Sequence, residues 1–236
     1  MKIIDAHLHA QQSPGFDQLC RDIGLENTWE RLLGTMEDNG VELAVAMGSS
    51  RDQRQPGIPN IAGLPEDNGD RPARLYYCLG IEPQSLAGER AARTLEQLAR
   101  EIRRPGAVGF KLYPGYHPVY VYDPIYDPVY ELAEREGVPV VIHTGDTSNA
   151  RGRLRYSHPL TVDEAAVRFP GVTLVIAHAG NPWVLDACEV AKKNPNVCLD
   201  LSGLAVGRFA AADFIARYEG YHQTLRTWLA YLDDYT

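Results

Sequence analysis

Short apolar runs recur along the chain at nearly constant spacing, and this repeat limits the possible folds more than any other feature. Four consecutive runs end 32, 32 and 35 residues apart, at Leu79, Lys111, His143 and His178. One strand followed by one crossover helix accounts for such a period. The runs predict seven strands: Ile3–His9, Leu43–Gly48, Leu75–Gly80, Val108–Tyr113, Pro139–His143, Thr173–His178 and Val197–Ser202.

Alternating strands and helices form either an open, doubly wound sheet or a closed (β/α)8 barrel. An open sheet gathers its ligands at one switch point, whereas a barrel brings the carboxyl ends of all its strands to one rim. Polar residues end strands one, four, five and six, which favours the barrel. We therefore predict an α/β protein with a TIM (β/α)8 barrel, formed by a single domain over residues 1–236. The barrel needs eight strands, and the eighth is missing from the sequence.

Composition narrows the class of protein and its partners. Of 236 residues, 44% are hydrophobic, which is enough for one large core. The net charge of −8 argues against nucleic-acid binding, because no basic surplus can release counterions from phosphates. With no leader-like start and no apolar run of membrane-spanning length, we expect a soluble cytoplasmic protein. Four cysteines without a CxxC pair are expected to be buried, reduced thiols: Cys20, Cys78, Cys188 and Cys198.

Two histidines close the first predicted strand, in KIIDAHLHA. His7 and His9 share one face of that strand, because successive side chains alternate. The apolar residues Ile3 and Ile4 before them predict a strand that is buried on both sides. Two imidazoles at the end of a buried strand are well placed to share one metal ion.

Two further histidines end apolar runs of their own. His143 and His178 each precede a small residue and a glycine, in VPVVIHTG and VTLVIAHAG. Either one alone is typical of a core histidine whose ring is satisfied by backbone hydrogen bonds. Together with the pair in the first strand, they give four imidazoles at one rim, which suits a first-row metal.

Four motifs resemble the amidohydrolase superfamily, specifically its amidohydrolase-related branch of metal-dependent hydrolases and decarboxylases. They are DAHLHA, GFKLYPG, VVIHTG and LVIAHAGNPW, and they span nearly the whole chain. The resemblance implies that His7 and His9 bind a first metal together with His143. It also implies that His178 binds a second metal or hydrogen-bonds the nucleophilic water, which makes it a candidate catalytic residue.

Lys111, the second candidate catalytic residue, has two roles open to it. GFKLYP resembles the fourth strand of dihydroorotases, in which the lysine is carboxylated and bridges two metals. A carbamate supplies two oxygens for that purpose, whereas a protonated lysine is a poor ligand. The alternative is a protonated Lys111 that pairs with a substrate carboxylate or simply fills the rim. A nuclease-like relative would have a glutamate at this position, so Lys111 also argues against DNA chemistry.

The last ligand of this superfamily, an aspartate at the end of strand eight, has no counterpart in the chain. The sequence ends in TWLAYLDDYT, which resembles the helix before that strand, so Asp233 and Asp234 do not take the role. Asp200 shares a face with Ser202 and is expected to be a buried, hydrogen-bonded carboxylate at the rim. Loss of a general base of this kind costs ~10²–10⁴-fold in rate. We therefore expect these 236 residues to be a truncated version of a longer chain.

The loops after strands four, five and six are expected to select the substrate. The residues assigned to substrate binding are Tyr113, Arg151, Arg155, His158 and Trp183. The arginines could clamp a carboxylate bidentately, and solvated loop arginines explain the pattern equally well. The aromatic residues form a wall of the site in one interpretation and pack against neighbouring loops in the other.

The leading hypothesis is a metal-dependent hydrolase that uses a metal-activated water on an amide, lactone or ester-like bond of a small molecule, with an anionic substrate left open. The alternatives are a metal-dependent non-oxidative decarboxylase of an aromatic or enoic acid, and a metal-binding pseudoenzyme without the strand-eight aspartate. We expect one or two divalent ions, with zinc favoured by imidazole ligands and manganese or iron by additional oxygen ligands. The expected partner is the small-molecule substrate, without nucleic acid or membrane, and a homo-oligomer is left open.

Overall fold

The structure is a computed structural model that describes residues 2–10, 14–49, 72–147, 150–205 and 210–233. The described residues form seven strands: β1 (Ile3–Leu8), β2 (Val41–Met47), β3 (Leu75–Gly80), β4 (Ala107–Leu112), β5 (Val140–Ile142), β6 (Leu174–Ile176) and β7 (Val197–Leu199). They also form eight α-helices: α1 (Pro14–Asp22), α2 (Trp29–Asp38), α3 (Ala91–Glu101), α4 (Asp127–Glu136), α5 (Leu160–Arg168), α6 (Val184–Lys193), α7 (Ala211–Arg217) and α8 (Glu219–Asp233). Six strands begin and end within two residues of their predicted positions, and β7 ends three residues earlier than predicted. The alternation with helices is as predicted.

The chain divides into two compact units. The first comprises Met1–Leu112 and Pro124–Val141, and the second comprises Tyr113–Asp123 and Ile142–Thr236. The chain therefore crosses between the units three times: just after β4, between Asp123 and Pro124, and within β5.

In the first unit, β1 to β4 lie side by side in chain order, and every neighbouring pair is parallel. The Phe110 N–H donates to the Pro139 carbonyl at 3.0 Å, which links β4 to the segment that enters β5. Parallel neighbours need crossover connections, and α2, α3 and α4 each precede a strand in this way. The strands supply the buried core of this unit: Ala44, Ala46, Leu75, Leu79, Phe110, Leu112 and Val140.

The prediction that β1 is buried on both sides is wrong. Ile3 is 36% exposed and Ile4 is 60% exposed, and only His7 is buried within the strand. Among the described residues β2 is the one strand that pairs with β1, so β1 lies at an edge of the sheet. A continuous apolar run indicates burial on both faces only where neighbours cover the strand, and this edge has fewer of them.

In the second unit, β6 and β7 pair in parallel, with Leu174 opposite Val197 and Ile176 opposite Leu199. Helices α6 and α8 pack together through a small apolar cluster of Val184, Cys188 and Leu225. Partly buried residues surround this cluster: Leu199, Leu204, Tyr221, Trp228 and Leu232.

The end of the described chain is helical, as the sequence predicts. Helix α8 runs to Asp233, and no eighth strand follows β7 within the residues that the structure describes. Asp234 lies outside those residues. None of the described helices combines the length and the apolar composition that crossing a membrane requires.

The cysteines are reduced, but one of them is not buried. Cys20, Cys78 and Cys188 are buried free thiols, whereas Cys198 is an exposed free thiol. Cys198 lies in the middle of β7, exposed between the buried Val197 and the partly buried Leu199. The apolar run around Cys198 therefore does not place every one of its side chains in the core.

Candidate metal centre

Three of the four candidate histidines lie just beyond strand ends rather than inside strands. β1 ends at Leu8, one residue before His9, and β5 ends at Ile142, one residue before His143. β6 ends at Ile176, and His178 belongs to the turn Ala177–Gly180 that follows. Residues at the carboxyl ends of parallel strands are free of ladder geometry, so their side chains can be directed by the loops.

His7 and His9 lie close together in the first unit. Their ring centres are 5.5 Å apart with the rings nearly edge to face. The His7 N–H donates to Oδ1 of Asp5 at 3.0 Å, so the acidic residue of the DAHLHA motif holds the backbone of the strand end. His7 is buried, whereas His9 is exposed.

Lys111 is fully buried in β4, with an exposure of 0%. It lies opposite Gly80 of β3, and its carbonyl accepts the Ile81 N–H at 2.9 Å. Cys78 lies two residues before Gly80, on the same face of the sheet. Burial raises the pKa of the Cys78 thiol to about 12, although the Lys111 ammonium lowers it. The amine of Lys111 is therefore held within the layer of strand side chains and not on a solvated loop.

One hydrogen bond determines which nitrogen of the neutral His143 ring carries the hydrogen. Its Nε2 lies 3.0 Å from the backbone carbonyl of Asp146. A carbonyl oxygen only accepts hydrogen bonds, so Nε2 carries a hydrogen and donates it. In the neutral ring the lone pair is then on Nδ1, which becomes the nitrogen that can bind a metal ion.

His178 has the opposite arrangement. Its Nδ1 lies 3.0 Å from the Ser202 carbonyl, so Nδ1 carries the hydrogen and Nε2 has the lone pair. The residue has a left-handed backbone, with φ 61°, and Ala179 after it has φ 46°. The extended strand that the sequence predicts through His178 is therefore wrong at its last two residues.

The spacing of the histidine rings fits shared coordination of an ion. The ring centres of His143 and His178 are 5.1 Å apart. Two imidazoles that bind one ion through nitrogen–metal bonds of about 2 Å have ring centres roughly 5–6 Å apart. The His7–His9 separation of 5.5 Å falls in the same range. Each pair, considered within its own unit, therefore has the donor type and the spacing that a divalent first-row ion needs.

The structure brings two of the predicted substrate-binding residues together. The rings of His158 and Trp183 have centres 4.7 Å apart. Nδ1 of His158 accepts the Leu160 N–H at 3.3 Å, and its Nε2 lies 3.8 Å from a carboxylate oxygen of Asp186. These two residues come from loops after different strands, so their contact depends on the fold and not on sequence proximity.

Tyr113 is connected to His143 through a second aromatic ring. Tyr113 and Tyr116 have ring centres 6.2 Å apart, and Tyr116 and His143 have ring centres 4.9 Å apart. Aromatic pairs at these distances favour tilted or edge-to-face packing, as observed. The tyrosines after β4 therefore pack beside a candidate ligand.

The two predicted substrate arginines are exposed. The guanidinium of Arg155 lies 4.7 Å from the Tyr156 ring centre and donates to the Tyr156 hydroxyl at 2.6 Å. Arg151 is exposed at the start of the same loop. The structure thus places Arg155 against its own neighbour, and the predicted carboxylate clamp stays a prediction.

Sequence reasoning missed Glu82, a carboxylate two residues beyond the end of β3. It is half-buried, and burial raises the pKa of its side chain despite a hydrogen bond from the Gln84 backbone. A carboxyl group whose pKa is raised by burial is a candidate for a functional site. The signal that could have found it is its position two residues after the apolar strand β3, in LGIEPQ.

Comparison with known proteins identifies the family. The family model described as Amidohydrolase matches residues 81–231, more than half of the chain. The chain belongs to the amidohydrolase family. The matched region contains Lys111, His143 and His178 and begins after His7 and His9. Members of this family are generally metal-dependent enzymes. The likeness of GFKLYP to dihydroorotases stays a prediction.

Solved structures confirm the predicted fold class. An uncharacterised TIM-barrel protein from Bordetella bronchiseptica is 25% identical to this amidohydrolase, with a TM-score of 0.62 over 92% of this chain and 81% of that chain. A 5-carboxyvanillate decarboxylase from Sphingomonas paucimobilis is 18% identical, with a TM-score of 0.52 over 86% and 81% of the two chains. A probable 2-pyrone-4,6-dicarboxylic acid hydrolase from Acinetobacter baumannii is 14% identical, with a TM-score of 0.54 over 86% and 71%. No curated protein matches the chain in sequence.

Proposed function

We propose that this amidohydrolase is a metal-dependent hydrolase of a small molecule with an amide, lactone or ester-like bond. The observation that carries the proposal is the pair His143 and His178, whose rings are 5.1 Å apart. Backbone carbonyls fix the hydrogens of these rings, which leaves lone pairs on Nδ1 of His143 and Nε2 of His178. Such fixed tautomers are what outer hydrogen bonds impose on histidines that bind metal.

The proposed ligands are the histidines and the lysine that the sequence indicates: His7, His9, His143, His178 and Lys111. A divalent ion, when bound, lowers the pKa of a water and polarises a substrate carbonyl. Imidazole donors favour zinc, and manganese or iron fit if Lys111 contributes oxygens as a carbamate. Where His178 is not a ligand, its Nε2 lone pair can accept a proton from the attacking water.

The proposed substrate surface includes Tyr113 together with His158 and Trp183, whose rings are in tilted contact. A planar or unsaturated ring would pack on this aromatic surface. Arg151 and Arg155 lie on the same loop as His158 and would attract an anionic substituent. We therefore propose a small anionic substrate and neither a nucleic acid nor a membrane as the partner.

A decarboxylase is the second candidate, because a 5-carboxyvanillate decarboxylase shares the fold over most of both chains. An isotope experiment separates the two reactions. The metal-loaded protein is incubated in H₂¹⁸O with panels of cyclic esters, amides and aromatic carboxylic acids. Incorporation of ¹⁸O into the product without release of carbon dioxide is the expected result. Release of carbon dioxide would favour the decarboxylase, and metal binding without any turnover would favour a metal-binding pseudoenzyme.

Replacement of Lys111 by methionine tests the role of the buried amine. Methionine fills a similar volume without the charge, so we expect the fold to persist while turnover falls by ~10²-fold or more. If the lysine is a bridging carbamate, the metal content falls from two ions to one, as measured by elemental mass spectrometry. Lys193→Met is the matched control, because Lys193 forms only a partly exposed ion pair with Asp163 and its loss should leave turnover unchanged. Unchanged turnover in K111M would contradict a chemical role for Lys111.

A further inference from the structure

Asp200 lies directly beyond β7, and one of its carboxylate oxygens collects three hydrogen bonds. Oδ1 accepts from the Ser202 hydroxyl at 2.5 Å, from the Ser202 N–H at 3.0 Å and from the His178 N–H at 3.0 Å. An ionised carboxylate only accepts hydrogen bonds. The single hydroxyl hydrogen of Ser202 is therefore directed at Asp200.

The Ser202 hydroxyl oxygen also lies 2.9 Å from Nδ1 of His178. Because its hydrogen is used on Asp200, this oxygen accepts the hydrogen of Nδ1, which the hydroxyl and the carbonyl of Ser202 share. The reverse direction would leave two oxygen lone pairs facing each other at 2.5 Å, between Ser202 and Asp200. It would also turn the lone pair of Nδ1 toward the Ser202 carbonyl at 3.0 Å. The chain from Nδ1–H to Ser202 and from Ser202 to Asp200 gives each of these three atoms a partner of the right kind.

Asp200 also fixes the backbone of His178 and Ala179 through two hydrogen bonds. Its Oδ1 accepts the His178 N–H, and its carbonyl accepts the Ala179 N–H at 2.8 Å. These two residues have the left-handed backbone that side chains other than glycine seldom adopt. Such conformations persist where surrounding hydrogen bonds fix them.

Gly203 completes the contact with the His178 ring. A Cβ at this position would lie 2.9 Å from Nδ1, and the backbone φ of 67° also favours glycine. The DLSG segment therefore supplies a carboxylate, a hydroxyl and open space on one side of a single imidazole.

We infer that Asp200 and Ser202 are positioning residues for His178, which fix its ring with Nδ1–H toward Ser202 and leave the lone pair on Nε2. The consequence for metal binding rests on the proposed function. The hydrogen-bonded chain itself belongs to the protein without metal, so the two claims can fail separately.

The tautomer is measured first, on the unsubstituted, metal-free chain. Long-range ¹H–¹⁵N NMR correlations distinguish the two neutral forms of a histidine ring, and the His178 signals are assigned from their loss in His178→Asn. The expected pattern is that of the Nδ1–H form. A predominant Nε2–H form would overturn the inference, whatever the metal content.

Zinc affinity then tests whether Ser202 acts through His178, by competition with a chromogenic chelator. Loss of an outer hydrogen bond weakens metal binding by ~10–100-fold. Ser202→Ala removes the hydroxyl and keeps the backbone carbonyl, so we expect zinc affinity to fall by about 10-fold, the lower end of this range. Ser202→Thr keeps the hydroxyl and should bind zinc within about twofold of the unsubstituted protein. In the His178→Asn background, Ser202→Ala should have no further effect, because the ring that it positions is gone.

Each other outcome has a definite meaning. Unchanged affinity in S202A, or an equal loss with and without the His178 ring, would overturn the positioning role. If S202A does not fold, the tautomer and the S202T affinity decide the question. A chain that binds no zinc at all would contradict the proposed function, and the tautomer alone would then decide the inference.

Discussion

Replacement of Gly145 by alanine is expected to lower the free energy of unfolding by at least about 3 kcal/mol. A Cβ at this position would lie 2.1 Å from the backbone oxygen of Asn181, and the backbone φ is 84°. The Gly145 N–H donates to the Ser157 carbonyl, and the Asp146 N–H donates to the Asn181 carbonyl. The added methyl group therefore meets fixed backbone atoms and cannot be accommodated by a side-chain rotation. Urea unfolding of the metal-free protein measures the effect.

Gly137→Ala is the matched control for the backbone contribution alone. Gly137 ends α4 with φ 65°, and nothing lies within 4 Å of a Cβ at that position. A left-handed alanine costs roughly 1–2 kcal/mol, so G137A should be much less destabilised than G145A. If the two variants lose the same free energy of unfolding, the backbone oxygen of Asn181 does not lie as close to Gly145 as described.

Replacement of His178 by asparagine is expected to weaken zinc binding by at least ~100-fold, more than loss of an outer hydrogen bond costs. Turnover should fall by a similar factor or more, because the lone pair on Nε2 is lost. Asparagine tolerates the left-handed backbone at φ 61° better than alanine does, so the turn after β6 should persist. Chelator competition and steady-state kinetics measure the two effects.

His222→Asn is the control for the loss of an imidazole in the same unit. The His222 ring, in α8, packs at 5.3 Å from the Phe214 ring and at 5.7 Å from the Tyr221 ring, measured between centres. Neither neighbour belongs to the proposed metal centre, so H222N should keep the zinc affinity of the unsubstituted protein. Comparable losses in H178N and H222N would mean that the effect arises from unfolding and not from coordination.

The order of the strands could be predicted from the sequence because buried apolar runs are local signals. Each of the seven runs became a strand, and the helical character of the tail through Asp233 was also predicted. The exposure of Ile3 and Ile4 could not be predicted, because an apolar run contains no information on how many neighbours its strand has. Burial of an edge strand depends on distant segments of the chain.

The identity of the candidate ligands could be predicted, but the conformation of the site could not. His143 and His178 lie just beyond strand ends, and their ring centres are 5.1 Å apart, as the spacing of the motifs suggests. The left-handed turn at His178 is fixed by Asp200, which lies directly beyond β7, and an isolated VIAHAG segment gives no sign of it. The hydrogen on the His143 ring depends on the carbonyl of Asp146, a backbone atom that residue types do not reveal. The hydrogen on the His178 ring depends on both the carbonyl and the hydroxyl of Ser202.

The contacts of the loop arginines could not be predicted from the sequence either. Three arginines in RGRLRYSHP suggest a carboxylate clamp, yet the guanidinium of Arg155 packs on Tyr156. A long flexible side chain can reach several partners, and the sequence does not determine which of them it contacts. By contrast His158 and Trp183 have short, rigid side chains, and their contact follows directly from the positions of their loops.

The central claim is that this amidohydrolase binds a divalent metal through its strand-end histidines. Metal content per chain, measured by elemental mass spectrometry on protein purified without added metal, tests it most directly. The account predicts one or two equivalents of a first-row metal, with one fewer in H178N and no change in H222N. Two equivalents would favour a carboxylated Lys111. One equivalent would support the decarboxylase and the hydrolase equally. Less than about a tenth of an equivalent, with none acquired on incubation with zinc, would contradict the account.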